Sequence, residues 1–143
     1  MMPRPRPREE ARVWLEFAED DFRAACGLMA MSPPAIRQAL VQGQQAAEKA
    51  LKAFLIGNGQ LYPLTHDLER LRELCVVIDP TLDAVARPCL DLTQFASLMR
   101  YPGCPDLPEP EFAWPWLHAA EALVAAVAER LRGAIQEPAA GMK

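Results

Sequence analysis

Apolar residues recur along this chain at spacings of three and four, the period of helices with one buried face. From about Glu9 to Met31, Trp14, Ala18, Ala25 and Leu28 form one stripe, with Phe17, Phe22 and Met29 beside it. Ser32, Pro33 and Pro34 stop that helix and start the next, because proline fits only the first turn. The second and longest helix is expected over about Pro34–Ile56, with Ile36, Leu40, Gly43, Ala47, Ala50, Leu51 and Phe54 inside. Gln38, Gln42, Gln45, Lys49 and Lys52 fall on its other side. Gly57 and Gly59 supply the positive φ that ends a helix cheaply, and Thr65, His66 and Asp67 offer a cap and an anion for the next start.

A third helix over about His66–Ile78 places Leu68, Leu71, Leu74, Cys75 and Ile78 inside. A short helix, Thr81–Ala86, precedes a longer one, Cys89–Arg100, the break falling at Arg87 and Pro88. Pro102, Pro105, Pro108 and Pro110 make a stiff irregular loop. The last helix, about Trp114–Ile135, buries Leu117, Ala120, Leu123, Val124, Val127 and Leu131. The one β-branched run, Cys75–Ile78, continues a helical pattern. The pattern predicts an all-α fold, an antiparallel up-and-down four-helix bundle with an additional short helix.

At 143 residues, 51% of them hydrophobic, the chain can bury one core, expected over residues 11–136 between a Pro/Arg-rich tail (1–10) and a C-terminal tail (137–143). No apolar run approaches the roughly 20 residues that span a bilayer, and the first ten lack the apolar middle of a signal peptide, so no membrane and a cytoplasmic location are expected. A net charge of −4 argues against strong non-specific nucleic-acid binding, though not against a local basic patch. Cys26, Cys75, Cys89 and Cys104 are scattered, without the paired spacing of a zinc site, and are expected to fill apolar space. No cofactor or metal is implied.

Four segments in order, WLEFAEDDFRAA, AAEKALKAFL, PLTHDLERL and MRYPG, followed by the alanine-rich HAAEALVAAVAERL, resemble the HEPN domain family over about residues 11–133. The resemblance implies a helical bundle that often forms homodimers. Such domains often accompany a small nucleotidyltransferase, in some cases within toxin-antitoxin systems. Some members are ribonucleases, marked by an arginine followed four to six residues later by histidine. In this chain Arg100 is followed by Tyr101, Pro102, Gly103, Cys104, Pro105, Asp106 and Leu107, so that activity does not carry over residue by residue.

Arg100 and Tyr101 match the family's arginine-tyrosine-proline segment; a guanidinium there can grip a phosphate while the tyrosine stacks on a base. The plainer alternative has Arg100 capping helix-end carbonyls and Tyr101 packing near Trp114 and Trp116. Lys49 and Lys52 can offer charge to a phosphate or acidic partner, but are more simply solvated surface lysines; Glu48→Lys52 is the single i,i+4 pair. Asp21 sits on an apolar stripe and needs a partner, either a lysine, His66 or Arg100. His66 is expected to cap the third helix rather than bind a ligand, and His118 to be packed or on the surface.

The favoured function is a non-catalytic module that binds a nucleotide or RNA phosphate, or pairs with a small nucleotidyltransferase. A ribonuclease using Asp106, His66 or His118 as proton carrier is the first alternative. A purely structural dimer is the second.

Overall fold

The computed structural model describes residues 6–96, 102 and 107–136. Every regular element among them is helical. Helices α1 (Pro7–Met29), α2 (Ile36–Gly57) and α3 (Leu68–Ile78) are followed by a 3₁₀ turn (Pro80–Leu82) and the short α4 (Asp83–Ala86). A 3₁₀ segment (Arg87–Ala96) and α5 (Pro110–Gln136) complete the fold. The all-α bundle expected from the periodicity is what forms. No helix among the described residues is long and apolar enough to cross a membrane.

Helix α2 is the axis. Fourteen of its 22 residues are buried, including every one from Ala50 to Ile56, because α1, α3, the 3₁₀ segment and α5 all pack on it. A helix covered on several sides buries more than one stripe, so Ala46, Ala53, Leu55 and Ile56 join the expected inner face. Gly43 lets α5 approach closely: a Cβ there would come within 2.6 Å of Leu117 Cδ2. The six residues expected inside the last helix are all buried.

Several boundaries differ from expectation for identifiable reasons. Helix α1 starts at Pro7, earlier than Glu9, since proline suits a first turn and Glu9 and Glu10 follow at its positive end. Of Gly57 and Gly59, only Gly59 takes a positive φ (74°), closing α2 together with Asn58, whose Nδ2 donates to the Phe54 carbonyl at 2.7 Å. Gly57 remains helical, and its missing Cβ makes room for Leu131. Helix α3 begins at Leu68, because Asp67 is its cap and accepts from the Glu69 amide at 3.0 Å. Helix α5 begins at Pro110, placing Pro115 inside the helix.

The largest departure is Arg87–Ala96, where an α-helix from Cys89 was expected and a 3₁₀ segment is found. Ala86, Cys89, Leu92 and Phe95 are all buried. Their spacing of three matches the three residues per turn of a 3₁₀ helix, and would spiral around an α-helix. Burial pushes the Cys75 and Cys89 thiols up to about 12, as befits apolar filling.

Candidate functional site

Gln44, Glu48 and Lys52 repeat every four residues and therefore stack along one row of α2. The row lies among buried apolar side chains, and all three residues are themselves buried. Polar groups taken from water need partners, and here they supply one another. Glu48 Oε2 accepts from Lys52 Nζ at 3.0 Å. Its Oε1 accepts from Gln44 Nε2 at 3.1 Å and lies 2.8 Å from His66 Nδ1. Gln44 Nε2 also donates to the His66 carbonyl at 3.1 Å, and Gln45 Nε2 donates to Gln44 Oε1 at 2.9 Å.

Burial alone would raise the Glu48 pKa, but hydrogen bonds from His66, Lys52 and Gln44 outweigh it and hold the carboxyl below its usual value. An ionised carboxylate only accepts, so Nδ1 of His66 is the nitrogen that carries hydrogen. The Nε2 side of the ring is left for other partners, and the side chain is 66% exposed. His66 is thus held by Glu48 and does not cap α3, contrary to expectation.

The two lysines are equally removed from the solvated state expected of them. Lys52 is 7% exposed and lies 5.8 Å from the Trp14 ring centroid and 5.4 Å from that of Tyr62. Lys49 pairs with Asp21 at 2.6 Å and lies 5.7 Å from the Phe17 centroid. Trp14 and Phe17, three apart on α1, thus face Lys52 and Lys49, three apart on α2. Rising numbers on one helix meet falling numbers on the other, as antiparallel neighbours require. Cation–π attraction and the Asp21 ion pair then fix the register of this face. Asp21 finds its partner in a lysine, Lys49, rather than in His66.

Trp14 and Tyr62 meet edge to face at 5.1 Å. Beside Tyr62 an open cleft of about 730 Å³ runs past Glu10, Gly59, Gln60, Leu61 and Leu64. Of the residues singled out in the sequence, Lys49, Lys52, His66 and Asp21 are therefore brought onto one face. Arg100, Tyr101 and Asp106 lie outside the described residues. His118 is exposed, its ring 5.4 Å from that of Trp114. Sequence reasoning missed Gln44 and Glu48 as members of the site. Their signal was two polar residues in line with buried Leu40 and Leu51, where a lone polar side chain would be costly. No group of three or more His, Cys, Asp or Glu able to hold a metal occurs among the described residues.

No curated protein matches this chain. The crystal structure of TT1696 from Thermus thermophilus is similar with a TM-score of 0.66 and 30% identity, covering 83% of this chain and 96% of that one. A family model, described as the HEPN domain, matches residues 11–131. That span takes in α1 with its aromatic residues, the polar row of α2, the His66 loop and most of α5, so the chain belongs to the HEPN domain family.

Proposed function

We propose that this chain is a non-catalytic HEPN module that holds the phosphate of a nucleotide or RNA at the Lys52–His66 face. On this reading the base lies against Tyr62 in the adjoining cleft. The observation that carries the reading is the exposed imidazole of His66, fixed through Nδ1 by buried Glu48 and free to donate from Nε2 when protonated. Lys52, paired with Glu48 and lying against two aromatic rings, helps keep that carboxylate ionised and so holds the imidazole in place. Calorimetry with adenosine triphosphate tests the reading. Binding that weakens about tenfold in His66→Ala, the cost of one charge-assisted hydrogen bond, supports it; identical titrations of both proteins count against it.

Homodimerisation, and pairing with a small nucleotidyltransferase, fit the same face. Leu61 and Leu64 beside the cleft are 94% and 96% exposed, a surface that a partner would cover.

A second reading rests on the Glu48–His66 pair itself. A carboxylate that orients an imidazole is the arrangement of a general base, so His66 is the natural proton carrier if the chain cleaves RNA. Cleavage of labelled RNA that disappears in His66→Ala would favour this activity over simple binding. Cleavage that persists in that variant would remove it.

A further inference from the structure

On the opposite side of α1 from the lysine face, α1 and α5 enclose a groove of about 200 Å³. Its floor is apolar: Ala11, Ala128 and Leu131 are buried, and Leu15 lines it beside them. Its rim is cationic. Arg8, Arg12 and Arg132 line it, with Glu19 as the single carboxylate.

These three arginines are exposed, and none forms an ion pair among the described residues. Arg23, Arg70, Arg72, Arg87 and Arg130, by contrast, are each paired with a carboxylate. Three positive charges against one negative leave the groove at +2, on a chain whose net charge is −4. Arg6 and Arg37 are likewise without an ion pair among the described residues, but neither lines the groove; the convergence of three unneutralised guanidiniums on one apolar hollow is what asks for an anion.

We propose that this groove binds an organic phosphomonoester, whose dianionic head meets the arginines and whose apolar or aromatic body rests on the alanine and leucine floor. The head carries about −1.5 to −2 at neutral pH, close to the charge of the lining. Planar guanidiniums match phosphate oxygens two at a time. The small volume and apolar floor favour a compact ester over a polymer backbone. A mononucleotide and a non-nucleotide ester share this chemistry.

The test is calorimetry of the full chain with phenyl phosphate, adenosine 5′-monophosphate, inorganic phosphate and adenosine. Phenyl phosphate is expected to bind, with inorganic phosphate and adenosine each about tenfold weaker, since each lacks one half of the recognised group. Arg12→Gln and Arg132→Gln should each weaken phenyl phosphate about tenfold without changing the melting temperature. Ala128→Leu should do the same by filling the floor while leaving the charge intact. Measured in His66→Ala, where the lysine face is disabled, tighter binding of the mononucleotide than of phenyl phosphate would identify nucleotides as the source, and the reverse a non-nucleotide ester; either, if lost in Arg12→Gln, supports the groove. Failure of phenyl phosphate to bind, equal binding of inorganic phosphate, or indifference to the arginine substitutions would overturn it. His66→Ala keeps the two sites apart: it should leave phenyl phosphate binding unchanged, and a loss there would assign the anion to the lysine face instead.

Discussion

Glu48 accepts from three side chains contributed by α2 and by the loop before α3, so its removal strands more than one group. In Glu48→Ala the Lys52 ammonium, 7% exposed, loses its counter-charge, and a cost of about 3 kcal/mol is expected in urea denaturation. Replacing both partners, as Glu48→Leu with Lys52→Met, should recover most of that loss, because two apolar side chains need no partners. A double variant as unstable as the single one would show that the pair does more than satisfy itself. The same carboxyl sets an acid limit. Its folded pKa lies below the ordinary 4.5, so its contribution is complete above that value and is lost as pH falls through the folded one. The urea midpoint of the wild type should decline below about pH 4.5, and Glu48→Gln should flatten part of that decline. Parallel profiles for the two proteins would remove Glu48 as a cause. None of this was legible from Lys49 and Lys52 taken singly. A helical wheel gives the side of a helix, but not that α1 would bring Trp14, Phe17 and Asp21 against it.

The elements were legible wherever one period ran uninterrupted. Leu117, Ala120, Leu123, Val124, Val127 and Leu131 identify the inner face of α5 because alanine and leucine positions repeat without a break. Between Arg87 and Ala96 the relevant period was three, and a period of 3.6 pointed to the wrong helix type. The start of α3 was ambiguous among Thr65, His66 and Asp67, since which of them caps depends on where the loop runs. It runs so that His66 reaches Glu48, leaving Asp67 for the cap. Helix α2 carries the tightest constraint. Gly43 has no side chain to keep Leu117 away, so Gly43→Leu should force α2 and α5 apart and lower stability by about 2 kcal/mol or more in thermal melts. An unchanged melting temperature would mean that α5 can slide along α2.

For the molecule as a whole, α1 acts as a divider, with paired cations and aromatic rings on its α2 side and unpaired arginines toward α5. Burial raises the Cys75 and Cys89 thiols to about 12, so native protein at about pH 8 should alkylate far more slowly at these two than after denaturation, as peptide mass spectrometry would read out. Rapid native labelling at either would mean that the core opens readily. The family was legible from ordered motifs, and the lack of a histidine four to six residues after Arg100 removed its nuclease signature. The Glu48–His66 pair was not, since its members are 18 positions apart and meet only when the loop folds back on α2. The chain has two histidines, which makes the functional claim directly measurable. In a titration with adenosine triphosphate followed by the imidazole carbon resonances, His66 should move saturably while His118, beside Trp114, stays fixed. Bound nucleotide with His66 unmoved would contradict the account.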